Sequence, residues 1–282
     1  MDKIPLPLGC VTSYIVRHGE RIDHIDDSWV HSAAVPYDPP LTDTGQRQAY
    51  LTGQLIHNIE QQQAQPTPDN TEYLVLTSPF LRCAQTAQAI HQGFVDQSAR
   101  THSAQTRQWK IAVEPGLSEV MNENYFEGPL PESLVGQRAD ELAAHDVMQY
   151  DFEYEPSRSG LPEYPEHFQD MMARFVGTLD YATGVQLGRM SAQAMRADGS
   201  SAALGMRRVL VLVTHGAGIK SLLWATTRQP DNSVASYCCL TRAQVLARLS
   251  SLPLAPPGSS RMPAFLWSVD YRAYSQHITP NL

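Results

Sequence analysis

Three short segments carry residues whose types and spacing could do chemistry. Arg17-His18-Gly19 follows the apolar run VTSYIV at 11–16, Ser78-Pro79 with Arg82 follows YLVLT at 73–77, and His215-Gly216 follows VLVLVT at 209–214. Arginine offers a planar fork to phosphate oxygens and keeps its charge, so two guanidiniums and two imidazoles gathered at one place make a dense anion site. A phosphate monoester fits that inventory. Within it an imidazole such as His18 can attack phosphorus to form a phosphohistidine. That divides one hard displacement into two easier ones, while the arginines offset charge on the equatorial oxygens. Gly19 permits close backbone approach at the turn. Taken singly, a histidine after a strand is usually structural and a lone arginine is usually a surface charge; the weight lies in three such segments in one chain.

The elements that must bring them together are of α/β type, because each apolar run ends in polar or special residues and is followed by a helical pattern. The second and third runs are nearly unbroken, as expected of strands covered on both faces. Ligands in an open α/β sheet bind beyond the carboxyl ends of the strands, which is where the three segments fall. Beyond Leu41, Asp43 and Gln46 are spaced like a capping box and Ala49, Ile56 and Ile59 form one stripe. Cys83, Ala87, Ile90 and Phe94 mark a second helix with Arg82 in its first turn, and Phe168, Met172, Phe175, Leu179 and Ala182 mark a longer one whose stripe reads as core packing. Residues 61–70 and 184–205 read as irregular connectors. The proline-containing stretch 127–165, with a short helix near 139–148, reads as an excursion that could cover the site. The expectation is one domain over residues 1–282, with an insertion at about 127–165 and a connector at about 184–205.

Composition narrows the field. The 282 residues are 42% hydrophobic and 18% charged, which excludes a disordered chain. No apolar run approaches the ~20 residues of a membrane span. With 21 Lys+Arg against 29 Asp+Glu the net charge is −8, the wrong sign for holding nucleic acid or anionic lipid through a general basic surface. Cys10, Cys83, Cys238 and Cys239 show no CxxC pairing, and the start MDKIPLPLGC has no long apolar stretch, so reduced thiols and a cytoplasmic location are expected, a nuclear one being compatible. No HExxH, EF-hand or paired Cys/His pattern occurs, so neither metal nor other cofactor is expected, and Asp23, Asp26 and Asp27 read as a solvated loop. The spacing of Cys10 and Arg17 does not match a cysteine phosphatase loop, and GAGIK after His215 lacks GxxxxGK spacing.

RHG at the first strand, SPFLRCAQTA at a middle one and THG at a late one together resemble the histidine phosphatase superfamily, also called the phosphoglycerate mutase-like fold. The likeness runs from Tyr14 to about Thr241. RHGERID, LRCAQTA, VEPGLSE and YCCLTRA are most similar to the branch holding the phosphatase domain of the suppressor-of-T-cell-receptor-signalling proteins and the insect ecdysteroid-phosphate phosphatase. The resemblance implies a three-layer α/β sandwich with a mostly parallel central sheet. It implies His18 as the phospho-accepting nucleophile, attacking through Nε2, with Arg17, Arg82 and His215 around the phosphate. DPPLTDTG at 38–45 matches the family's pattern at its first helix. It also implies a carboxylic acid that protonates the leaving oxygen: Glu119, closing VEPGLSE, is the natural candidate, Glu123 its rival and Glu114 a weaker third. Such an acid donates at neutral pH only when burial or bound phosphate raises its pKa.

Phosphoglycerate mutases resemble RHGESxWN here, whereas this chain has Arg21 and His24 at the two departing positions, which favours hydrolysis over retention of the phosphoryl group. Arg21 is either a further substrate-binding cation at the pocket mouth or a surface arginine paired with Asp23 or Asp26. The function expected is a phosphomonoesterase acting on a small-molecule or protein phosphomonoester, without nucleic-acid or membrane partner; a homodimer is compatible. The alternatives are a phosphoglycerate mutase and a non-catalytic phospholigand-binding or scaffold domain.

Overall fold

The computed structural model of the 282-residue chain describes residues 4–5, 11–62, 71–101, 108–196, 207–229, 235–248 and 264–278. Its strands are β1 (Ile4–Pro5), β2 (Val11–Arg17), β3 (Thr71–Thr77), β4 (Gln108–Val113), β5 (Gln149–Tyr150), β6 (Arg207–Thr214), β7 (Leu240–Arg248) and β8 (Phe265–Tyr274). Its helices are α1 (Trp29–Ser32), α2 (Asp43–Gln62), α3 (Leu81–Arg100), α4 (Leu134–Ala144), α5 (Phe168–Arg196) and α6 (Gly216–Thr227). The strands form one sheet in the order β1-β7-β2-β6-β3-β4-β5, with β8 also on β7. β2, β6, β3, β4 and β5 run parallel to their neighbours, while β7 lies antiparallel to β2 and β8.

Strand residues alternate between two cores, which makes the fold a three-layer sandwich. Leu74, Leu76, Leu210 and Leu212 face Phe175 and Leu179 of α5 and Leu222 and Leu223 of α6. Tyr73, Val75, Val209, Val211 and Val213 face the other way, onto Ile56 of α2, Ala87 and Ile90 of α3 and Leu142 of α4. Both faces are apolar because both are covered, and this produces the unbroken runs of β3 and β6. Full burial of each such side chain is worth about 1.5–3 kcal/mol. The expected stripes of α2 and α3 are buried.

Several local expectations change. Thr42, not Asp43, caps α2: its Oγ1 accepts from Gly45 N at 2.9 Å, because the helix begins one residue earlier than the Asp43/Gln46 spacing suggests. Phe168 opens α5 but is 72% exposed, lying at the helix end beyond the reach of the core. The connector expected at 184–205 is helical as far as Arg196. Val185, Leu187 and Met190 pack on the core there and Arg189 pairs with Asp151 at 2.6 Å, so tertiary contacts outweigh the low helix propensity of Gly184 and Gly188. Gln61 and Gln62 extend α2. The rest of that loop, residues 63–70, and residues 197–205 of the connector lie outside the described residues, as does Cys10. Part of the stretch 127–165 joins the scaffold, α4 packing on the second core and β5 extending the sheet beside β4. Cys83, Cys238 and Cys239 are free and buried. Among the described residues, no helix is long and apolar enough to cross a membrane.

Candidate active site

The order β2-β6-β3-β4 brings four strand ends side by side. Arg17 pairs with Thr214 and Thr77 with Val213 in register, so Arg17-His18, His215 and Ser78 leave the sheet at one level. Backbone bonds continue the ladder past the strands: His18 N donates to Thr214 O at 2.9 Å, Ser78 N to Val213 O at 3.0 Å and Glu114 N to Thr77 O at 2.8 Å. The segments foreseen from sequence therefore meet, and the rings of His18 and His215 lie edge to face with centroids 5.3 Å apart.

His18 is buried, and its Nδ1 stands 2.8 Å from the carbonyl of Gly19. A carbonyl only accepts, so Nδ1 carries the proton and the lone pair is on Nε2. Burial, then Arg82 and Arg17, drive the His18 pKa well below its ordinary value, which keeps the ring neutral. The loop is held from behind. Gly19 N donates to Thr86 Oγ1 at 3.0 Å, and a Cβ on Gly19 would fall 2.5 Å from Gly45 O while one on Gly45 would fall 2.2 Å from Glu20 O. The two glycines of RHG and DPPLTDTG thus let the nucleophile loop lie directly on the start of α2.

Arg82 is 1% exposed, in the first turn of α3. Its Nη2 donates to His215 Nδ1 at 3.3 Å and lies 4.0 Å from Glu119 Oε2. His215 is held from its other side by Ser78 Oγ, 2.8 Å from Nε2, so Nε2 carries the proton. Its pKa is also driven well down, by burial first and then by Arg82 and His18. Arg17 bonds the carbonyl of Ala235, and its Cζ sits 4.5 Å from the Tyr237 ring centre. Arg17 Nε, Arg82 Nε and Arg82 Nη1 are buried without a hydrogen-bond partner among the described residues. His215, which Arg82 bonds, is the N-cap of α6, and Arg17 Nε lies 3.7 Å from where a Cβ on Gly216, the first residue of that helix, would fall; the helix N-terminus adds its own orphan amides and positive field there.

The three candidate acids separate by environment. Glu114 is fully buried with both oxygens in use: Oε1 accepts from Gly116 N and Ser157 Oγ, each at 2.7 Å, and Oε2 from Tyr154 Oη at 2.7 Å and Ser157 N at 2.8 Å. It braces the turn. Glu123 is exposed in the turn that follows. Glu119 is 5% exposed, and its Oε2 lies 3.4 Å from His215 Nδ1. Of the three, it is Glu119 that stands within 4.0 Å of both His215 and Arg82.

Arg21 bonds Asp23 through both Nε and Nη2, the paired arrangement expected of a surface arginine, though it is only partly exposed. His24, at the other departing position, bonds the hydroxyl of Tyr237.

Further residues shape the site: Asp38, which opens the DPPLTDTG segment noted in the sequence without a role of its own, and Arg174, which the sequence did not single out. Asp38 Oδ1 accepts from Leu81 N at 2.7 Å, its Oδ2 from Arg138 Nη2 at 2.8 Å, and it lies 4.0 Å from Arg82, so it fixes the helix turn that carries Arg82. Arg174 of α5 is buried against Glu166, Nε to Oε1 at 2.6 Å and Nη2 to Oε2 at 2.8 Å. It also donates to the carbonyls of Gly116 at 2.8 Å, Ser118 at 2.9 Å and Glu119 at 3.5 Å. A cation beside Met171 and Phe175 on the apolar stripe was the available signal for Arg174. Among the described residues no group of three or more His, Cys, Asp or Glu side chains could hold a metal ion.

The family model of the histidine phosphatase superfamily (branch 1) matches residues 13–247. The chain belongs to that superfamily. No curated protein matches it. Among solved structures it is similar to the ecdysone phosphate phosphatase of Bombix mori in complex with tungstate. That likeness has 19% identity and a TM-score of 0.50, over 88% of this chain and 94% of that one. A phosphoglycerate mutase from Bacillus anthracis gives 17% identity and a TM-score of 0.46 over 95% of each chain. The first likeness shows the fold; the family match places the chain among the phosphoryl-transfer proteins of the histidine phosphatase superfamily.

Proposed function

We propose that the protein is a phosphomonoesterase working through a phosphohistidine on His18 and needing no cofactor. The observation that carries the reading is the neutral His18 ring, its Nδ1 proton held by the Gly19 carbonyl, beside buried guanidinium donors that have no hydrogen-bond partner among the described residues. In the first step Nε2 bonds to phosphorus as the bond to the ester oxygen breaks, and Glu119 gives that oxygen a proton. In the second, Glu119 takes a proton from water, the water oxygen bonds to phosphorus and the P–Nε2 bond breaks, releasing inorganic phosphate. Arg17 and Arg82 hold the equatorial oxygens throughout. A phosphate dianion beside His215 favours its imidazolium, adding one more donor.

Hydrolysis is preferred to isomerisation because the positions where mutases depart from this chain hold Arg21 and His24, already bonded to Asp23 and Tyr237. Arg21 is therefore proposed as a wall of the pocket mouth whose charge is tied to Asp23. The test is to quench the enzyme during turnover of labelled phosphomonoester. An acid-labile, base-stable adduct is expected in the parent and none in His18→Ala, with turnover lost. Full turnover by His18→Ala would end the proposal, and isomerisation of 3-phosphoglycerate faster than phosphate release would make the protein a mutase.

A further inference from the structure

Residues 235–239, which lead into β7, grip the nucleophile segment at three points. Ala235 O accepts from the Arg17 guanidinium, Cys239 O accepts from Arg17 N at 3.2 Å, and Cys238 N donates to His18 O at 3.2 Å. Within this turn Cys238 takes a left-handed backbone, φ 48°, a conformation that costs a residue with a Cβ free energy and persists where the surroundings impose it. Tyr237, the residue before, is half-buried and has no part in the reaction as described so far.

The Tyr237 ring meets both groups of the site at β2. Its centre lies 4.5 Å from Arg17 Cζ, inside the ~6 Å over which an aromatic face attracts a cation, and 5.8 Å from the centre of the His18 ring. The start of α6 also closes on the guanidinium, since a Cβ on Gly216 would fall 3.7 Å from both Arg17 Cζ and Nε. Arg17 is thus fixed by a carbonyl at Nη1 and by an aromatic ring, while its Nε–H is left without a partner among the described residues. A planar fork serves a phosphoryl group in one orientation only, so what sets that orientation matters as much as the charge.

The phenol end of Tyr237 is fixed too. Its hydroxyl bonds His24 Nδ1, on the short turn Ile22–His24, so one side chain spans the nucleophile loop from Arg17-His18 to His24. Burial first, with Asp23 and Glu20 behind it, raises the Tyr237 phenol against Arg17 and Arg21, which lower it; the hydroxyl therefore stays protonated at neutral pH. The same two carboxylates are competitors for an Arg17 fork that is not held.

We propose that Tyr237 is a positioning residue of the phosphate site: its ring holds the Arg17 fork toward the transferring phosphoryl group, and its bond to His24 holds the ring. The inference rests on the phosphomonoesterase reading and adds to it the residue that orients Arg17.

The test is a double-mutant cycle read by kcat/KM for 4-nitrophenyl phosphate and by inhibition constants for orthovanadate, which resembles five-coordinate phosphorus, and for inorganic phosphate, which does not. Tyr237→Leu is expected to lower kcat/KM and to weaken orthovanadate by about tenfold or more, but to weaken phosphate by about threefold or less, because a loosened fork loses most where charge develops. Tyr237→Phe keeps the ring and should show only about a threefold loss; His24→Ala, at an exposed position, should show the same loss, and the two together no more. In an Arg17→Lys background Tyr237→Leu should cost less than about twofold further. The full loss repeated in that background overturns the proposal, as do orthovanadate and phosphate weakened equally, or unchanged, in folded Tyr237→Leu. Should Tyr237→Leu not fold, Tyr237→Phe and His24→Ala decide: equal, non-additive losses support the proposal, and additive losses or unchanged kinetics overturn it. If the parent turns over no ester and forms no phosphohistidine, the phosphomonoesterase reading fails first. Calorimetric binding of orthovanadate through the same cycle then still decides the positioning role, with the same supporting and refuting results.

Discussion

Replacing Arg174 by lysine tests whether Glu119 acts as the acid. The guanidinium spans Glu166 and the carbonyls of Gly116, Ser118 and Glu119, fixing the segment on which Glu119 sits. Lysine keeps the charge beside Glu166 but loses the planar fork, so it reaches only part of this set. Leaving one or two buried carbonyls unpaired costs about 1–3 kcal/mol each, giving a stability loss of about 1–6 kcal/mol in urea unfolding. The larger effect is expected in catalysis. A misplacement of about 1 Å at a reacting group costs on the order of 10²-fold, and a general acid contributes roughly 10²–10⁴-fold. An alkyl phosphate, whose alkoxide must be protonated as it leaves, should therefore lose on the order of 10²-fold in kcat. 4-Nitrophenyl phosphate, whose leaving group needs little protonation, should lose about fivefold or less, by the same reasoning on the acid's share. In a Glu119→Gln background the same substitution should add no leaving-group dependence. An equal loss for both substrates, or an unchanged kcat on the alkyl ester alongside the lowered stability, would refute the positioning argument and leave Arg174 a structural brace.

Two further expectations follow from the same geometry. Glu114→Gln turns one carboxylate oxygen into a donor facing groups that already donate, so urea unfolding should show a loss of about 1–3 kcal/mol while kcat per folded molecule stays within about twofold; a collapse of kcat without loss of stability would transfer the acid role to Glu114. The folded-state pKa values of His18 and His215 lie well below the unfolded value, chiefly through burial and then Arg82. The unfolded chain therefore binds more protons below pH ~6.5, and the stability these two groups confer is fully present above that pH and lost as pH falls toward their folded values, with a slope of up to about 1.4 kcal/mol per pH unit for each. Unfolding measured at several pH values should show that decline, and the His18 ring followed by NMR should show no titration midpoint near pH ~6.5; a midpoint there, assigned to His18 by its loss in His18→Asn, would contradict the neutral, buried nucleophile.

Much of the site could be read along the chain because each chemical group is covalently close to a strand end. Arg17-His18, Ser78 through Arg82 and His215 are fixed to apolar runs, and parallel pairing in register carries such ends to one level. The stripes of α2 and α3 were equally plain, since helical spacing is local. The choice among Glu114, Glu119 and Glu123 was not local. It depends on which carboxylate is consumed by Tyr154 and Ser157, residues some 40 positions downstream, and which one is left facing His215. That Arg21 pairs with Asp23 and not with Asp26 was likewise visible only in the folded chain.

Sequence by itself therefore determined the chemistry on offer: an α/β sheet, two histidines and two arginines at strand ends, and the absence of a general basic surface. Tertiary structure decided which groups are engaged and which remain for substrate. It set Gly19 against Gly45, tied Glu119's segment to α5 through Arg174, carried α5 through Gly184 and left Phe168 exposed at the start of that helix. The physical reason is that type and periodicity are written in neighbouring residues. Burial, proton placement and the shape of a cleft are properties of contacts between residues that only the packed sheet brings together.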